Sequence, residues 1–155
     1  MKSEQFKSDG SRYSSIIVPF NRRWRTPIEK HEIKAVFRKK GPSDADGLRT
    51  IYAYVGSPVS AICAKMEVVK TMRLSVEDAR NHCEAAKLSV SKLEEYAGGQ
   101  PLFVFEIGEI TLPKTCLDRH ELLTQFGFQP TPSFVALSVA GADALDAALG
   151  ILSQD

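Results

Sequence analysis

The sequence predicts an α+β fold, a mixed sheet or partly closed β-barrel with short helices at its rim, on three observations. Runs rich in Ile, Val, Phe and Tyr occur on both sides of a central helical stretch, so strands and helices do not alternate in the βαβ manner. The helical stretches carry Ser or Asp caps and glycine stops. The 155 residues are 43% hydrophobic and 25% charged, enough for one core, and neither an internal repeat nor a second core is visible.

Residues 1–14 are polar, Ser-rich and without periodicity, so a flexible tail is expected, and with no apolar stretch there, no secretory signal. Ser15 to Phe20 is a β-branched run interrupted by Pro19 and predicts the first strand. Trp24 to Lys30 predicts a helical turn, with Thr26 as N-cap and Pro27 in the first position. Glu32 to Lys40 alternates, sending Ile33, Ala35 and Phe37 one way and Lys34, Val36, Arg38 and Lys40 the other. That pattern predicts a strand with one apolar and one mostly cationic face. A loop over Gly41 to Gly47 follows, then strands Arg49–Val55 and Val59–Lys70 about a turn at Gly56-Ser57-Pro58.

Ser75, with Asp78, predicts a helix to about Ala86, and Ser91, with Glu94, predicts a second that Gly98-Gly99 stops. Leu102 to Thr111 returns to strand. Asp118 with Glu121 caps a third short helix that ends at Gly127, and Pro130 and Pro132 interrupt the chain before a last strand, Phe134–Val139. Gly141 to Leu152 places Leu145, Leu149 and Leu152 on one helical face. Residues 15–139 are therefore expected as the domain, with 140–155 as a helical extension packed on it.

The formal net charge of +1 hides an asymmetry, because residues 1–50 carry 12 Lys/Arg against 6 Asp/Glu and the remainder is acidic. Such a bias predicts an anion-facing side. Its densest parts are Arg22, Arg23 and Arg25 around Trp24, and Arg38, Lys39 and Lys40. Three arginines beside a flat ring offer phosphate donors next to a base-stacking surface; a buried Trp24 with arginines lying over it is the other reading. No apolar run is long enough to span a membrane. The three cysteines, Cys63, Cys83 and Cys116, are widely spaced, which predicts free thiols and a reducing, cytoplasmic setting rather than a disulfide framework or zinc site.

Phosphate-loop, dinucleotide-binding, zinc-protease and nucleophile-elbow motifs are all missing, and His31, His82 and His120 are isolated from one another. Neither a metal nor a cofactor is expected.

At Glu32-Ile33-Lys34-Ala35-Val36-Phe37-Arg38 the chain resembles the ASCH domains of the PUA-like fold, whose N-terminal signature reads G-x-K-x-x-E-x-R. Ile17-Val18-Pro19 is similar to the strand before that signature, and Trp24 to Glu29 to its small helix. Ile51 to Ile62, containing Ser57-Pro58, is similar to the family's strand, Ser-Pro turn and strand, and Pro130-Thr131-Pro132-Ser133-Phe134 resembles its P-P-Q-S-F element. Aligned on Arg38, His31 stands at the signature glycine, Ile33 at the lysine and Val36 at the glutamate. Some ASCH proteins deacetylate a modified cytidine with a lysine, a threonine and a glutamate; here the resemblance offers only Glu67 as a counterpart, and Ile33 and Val36 cannot transfer a proton.

The resemblance implies a module that binds RNA or a modified nucleotide in a cleft bordered by the basic strand and the Ser-Pro turn. Its candidate contacts are Arg22, Arg23, Trp24, Arg25, Lys34, Arg38, Lys39, Lys40, Ser57, Pro58 and Glu67. Two alternatives stay open. A nucleoside- or RNA-directed hydrolase, amidohydrolase-like or nuclease-like, would need Lys34, Glu67 or His31 to converge on the cleft. A protein–protein interaction domain would use the C-terminal helix, with a dimer as one form.

Overall fold

The computed structural model describes residues 13–42, 47–128 and 134–151. Among them, six strands form one mixed sheet. They are β1 (Ser15–Phe20), β2 (Ala35–Arg38), β3 (Thr50–Val55), β4 (Ala61–Leu74), β5 (Leu102–Thr111) and β6 (Val135–Leu137), in the order β2-β5-β4-β3-β1-β6. β1 and β3 run parallel, and the other neighbours are antiparallel. The barrel alternative is corrected: the sheet is open, with β2 and β6 as its edges. These edge strands pair over only four and three residues, and short edges give other chains little to pair with.

Helices pack on both ends of the sheet: α1 (Arg25–Glu29), α2 (Val76–Ala79), α3 (Val90–Ala97), α4 (Arg119–Phe126) and α5 (Val139–Leu149), with 3-10 turns at Arg22–Trp24 and Arg80–His82. Several caps fall where the sequence puts them. Ser75 accepts from the Asp78 N–H. Asp118 and Glu121 form a reciprocal capping box, and Gly127 closes α4 at φ 68°. Others differ. Asn21, not Thr26, caps the first helical segment, and Ser89, not Ser91, caps α3, because in each case the earlier polar side chain reaches an orphan N–H first. The helix from Ser75 stays α-helical only to Ala79 and then tightens into a 3-10 turn.

β4 runs four residues past the expected Lys70, paired with β5 through two register shifts. At this bulge the Glu67 carboxylate accepts the Glu109 N–H at 3.1 Å. Gly108 makes room for it, since a Cβ there would collide with that carboxylate.

The expected loop Gly41–Gly47 lies partly, and Pro130 and Pro132 lie wholly, outside the described residues, as does Leu152. Of the expected tail, Tyr13 and Ser14 are described, and the Ser14 carbonyl accepts from Arg49 and Thr50.

The core divides by face. Ile16, Val18, Ile51, Met66, Val36 and Phe105 lie in one cluster with Ile28 of α1. On the other face Ile17, Tyr52, Tyr54 and Ile62 pack against α4 and α5. Ala35, Phe37 and Val104 pack there against Ala79, Leu93 and Ala97 of α2 and α3. β2 therefore has no cationic face: Val36 and Phe37 are 4% and 5% exposed and belong to opposite faces. The alternation of the sequence is real, but both sides of this edge strand are covered, one by the first core cluster and the other by the helices. α5 buries Leu145 and Leu149 in its own core, so that apolar face is not turned toward a partner.

Candidate functional site

A cavity of about 570 Å³ opens where the end of β1, the 3-10 turn, β2 and α3 meet. Its volume lies within the range of small-molecule sites. Ile28, Ile33 and Val36 contribute apolar wall, Phe20, Trp24 and Tyr96 contribute rings, and Arg23, Arg38, Lys39 and Lys92 contribute cations; Glu95 is the one carboxylate in the lining.

Arg38 ends β2 and is half-buried. Its guanidinium donates to the Phe37 carbonyl at 2.7 Å and the Pro19 carbonyl at 3.0 Å, and it lies 4.3 Å from the centre of the Phe20 ring. Among the described residues no carboxylate comes within ion-pair distance of it. Burial lowers its pKa from the usual arginine value while the Tyr96 phenol acts the other way, yet a guanidinium stays protonated. The strand thus holds a desolvated positive charge bound to neutral carbonyls, an arrangement that an arriving anion improves.

The neighbours frame that charge. The Lys39 N–H donates to the Tyr96 hydroxyl at 3.2 Å, and the Lys39 ammonium lies 5.0 Å from the Tyr96 ring centre. The phenol oxygen is an acceptor here, which leaves its own proton to donate. Trp24 is half-buried, packed against the first core cluster, with the Arg23 guanidinium 5.1 Å from its ring centre. Asn21 sets this geometry by capping the 3-10 turn through its side chain and the Arg23 N–H.

The structure gathers Arg23, Trp24, Arg38 and Lys39 around the cavity. The other candidates are not among the lining residues. Arg22 and Lys40 are exposed, and Arg25 pairs with Glu29 at 3.3 Å on the surface of α1. Lys34 is exposed, with its backbone held by Ala85 and Ile107. Glu67 is bonded at the β4–β5 bulge. Ser57 and Pro58 form an exposed turn beside the site, next to Gly56, whose N–H donates to the Phe20 carbonyl at 3.0 Å. Lys34, Glu67 and His31 therefore do not converge on the cavity.

The apolar wall escaped the sequence reading, and so did the polar side chains that α3 contributes, Lys92, Glu95 and Tyr96. These α3 residues lie more than 50 residues from β2 in the chain, and a Tyr two residues before a glycine stop carries no local sign of a binding wall. Among the described residues no group of three His, Cys, Asp or Glu side chains could hold a metal ion, and no helix is long and apolar enough to cross a membrane.

No protein-family model matches the chain, and no curated protein matches it. Solved structures do. An ASCH protein from Zymomonas mobilis superposes with a TM-score of 0.78 at 17% identity, covering 90% of this chain and 99% of that one. A serine-to-alanine variant of it gives 0.77 over 87% and 96% of the two chains, and a tyrosine-to-phenylalanine variant gives 0.76 over 86% and 97%, both at 17% identity.

The local backbone agrees with the signature alignment on Arg38. His31, at the glycine, sits at φ 60°, a left-handed conformation that glycine adopts freely. Ile33 and Val36, at the lysine and glutamate, both line the cavity. Open mixed sheet, rim helices and near-complete overlap lead to one conclusion: this chain has the ASCH-like fold.

Proposed function

We propose that the cavity binds a nucleotide, either free or presented by single-stranded RNA, with Arg38 and Lys39 meeting phosphate and the rings of Trp24 and Tyr96 meeting the base. The observation that carries this reading is Arg38, half-buried, held among the described residues by two carbonyls and a ring face, and lining a cavity with three other cations. A phosphate supplies the charge that the site lacks, and a base has flat faces that suit its rings. A duplex suits it less, since the cavity lies between helix and strand, and among the described residues no element projects from it toward a major groove.

Binding is preferred to hydrolysis because, among the described residues, the cavity lining carries one carboxylate and no histidine or cysteine to work with it. With Ile33 and Val36 in the wall, a deacetylation of the kind some ASCH proteins perform has no nucleophile or proton donor at those positions. A longer strand leaving the cavity would pass near the exposed Arg22, Lys40 and Ser57-Pro58 turn.

The test is fluorescence anisotropy with a short single-stranded RNA at two salt concentrations, comparing wild type with the Arg38→Ala/Lys39→Ala variant. If about four cations touch phosphate, log affinity falls against log salt with a slope of about −3. The double variant should lose about tenfold to hundredfold in affinity, the worth of a charge-assisted hydrogen bond. Salt-independent binding, or no loss in the variant, would contradict the reading.

A further inference from the structure

A pair of cysteines outside the cavity is brought together by strand register. The segment before α4 pairs with the start of β4: Arg119 N–H donates to the Ser60 carbonyl at 2.8 Å and Ile62 N–H to the Leu117 carbonyl at 3.3 Å, around an antiparallel bridge between Ala61 and Asp118. Cys63 follows Ile62 on β4, at the residue where β4 bulges against β3, and Cys116 precedes Leu117, so the two cysteines flank the last hydrogen-bonded pair of this short ladder. By alternation their side chains leave the same face as Ala61 and Asp118; a pair without mutual hydrogen bonds has its Cα atoms about 4.5 Å apart in a regular ladder, a spacing that the bulge at Cys63 modifies. Disulfides take Cα separations of about 4.4–6.8 Å. The ladder bonds stop at Ile62–Leu117, one pair before the cysteines, and beyond Cys116 the Thr115 and Lys114 N–H groups turn to the Leu149 carbonyl at 3.1 and 2.9 Å.

The two thiols differ in the way a reactive and a resolving cysteine differ. Cys116 is exposed, while Cys63 is 7% exposed, in the core cluster against which Trp24 packs. They are near enough to interact electrostatically: burial raises the Cys63 pKa most, Arg25 opposes, and Glu29 and Cys116 add to the rise. Cys83 is also buried, but in the separate cluster against α2 and α3.

We propose that Cys63 and Cys116 are a redox modification site that closes to an intramolecular disulfide under a hydroperoxide. The Cys116 thiolate attacks one peroxide oxygen; the O–O bond breaks, hydroxide leaves and is protonated to water, and a sulfenic acid remains. The Cys63 thiol then loses its proton as its sulfur attacks the Cys116 sulfur. The S–S bond forms, the S–O bond breaks, and the hydroxyl leaves as a second water. Two thiols are oxidised by two electrons and one peroxide is reduced. A thiol reductant reverses the step by exchange.

The test is to treat the full reduced chain with stoichiometric hydrogen peroxide, count thiols in denaturant, and map peptides under non-reducing conditions. Three thiols should fall to one, with the Cys63 and Cys116 peptides linked and released by dithiothreitol. Cys83→Ser should still form the link. Cys116→Ser, an exposed substitution that leaves the core intact, should keep both remaining thiols. A Cys116 that stops at sulfenic or sulfinic acid would overturn the proposal, as would a link that joins two chains or involves Cys83.

Discussion

Two polar clusters of this molecule treat charge in opposite ways. At the C-terminal helix, Asp146 accepts the Tyr52 hydroxyl at 2.6 Å on one oxygen and the Lys65 ammonium at 2.8 Å on the other. That triad is closed: each charge has an opposite charge, and the three side chains join β3, β4 and α5. At the cavity, Arg38 is bonded to two carbonyls and faces a ring, and its neighbours Lys39, Lys92 and Arg23 are cations as well. The first arrangement uses charge to fix a helix on a sheet. The second concentrates four cations beside one carboxylate, Glu95, with none of the four in an ion pair among the described residues, which costs stability in the free protein and is recovered when an anion arrives.

Breaking the closed cluster should have the largest effect. Asp146→Ala strands the Lys65 ammonium and leaves the Tyr52 hydroxyl only its longer, 3.4 Å bond to the Ala142 carbonyl, and should cost about 3 kcal/mol by urea denaturation. RNA affinity should not change, since none of the three residues lines the cavity. Removing the open cluster's main charge should do the reverse. Arg38→Gln should lower RNA affinity by about 1.5–3 kcal/mol while stability holds or rises slightly, because an unpaired cation is gone.

The closed cluster also has a pH signature. Burial first, then the hydrogen bond and charge of Asp146, raise the Tyr52 pKa above its ordinary value. The folded state therefore keeps a proton that the unfolded chain gives up. The contribution is fully present below the unfolded tyrosine pKa of about 10 and is lost as pH rises from there toward the folded value, at roughly 1.4 kcal/mol per pH unit. Denaturation at several pH values should show Tyr52→Phe with a shallower alkaline decline than wild type; equal slopes would mean the hydroxyl is not so held. The smallest effect belongs to the exposed Arg25–Glu29 pair, 49% and 38% exposed, where Glu29→Gln should move stability by less than about 0.5 kcal/mol.

What the sequence made legible follows the range of the interactions involved. β1, β5, the α4 capping box and the glycine stops at Gly98 and Gly127 are local devices, and they lie where the sequence predicts them. The two missed caps, Asn21 and Ser89, failed because two polar residues competed for one helix start and sequence alone does not rank them. Arg38 was legible as a candidate, but its environment was not. The Pro19 carbonyl and Phe20 ring that hold it come from β1, and the Tyr96 beside it comes from α3. The error about a cationic strand face has the same source. A period of two shows which residues share a side, not whether something covers that side, and here α2 and α3 cover one side while the first core cluster takes the other.

Trp24 is the only tryptophan in the chain, and it lines the cavity, so its own emission reports on the site without a label. Intrinsic fluorescence should therefore be followed as a short single-stranded RNA is titrated into wild type and Arg38→Gln at low salt. A saturable change in Trp24 emission, weakened at least about tenfold in the variant, is the result predicted here. An RNA that binds by anisotropy yet leaves Trp24 emission unmoved, or one that does not bind at all, would contradict the claim that the open cationic cluster is the binding site.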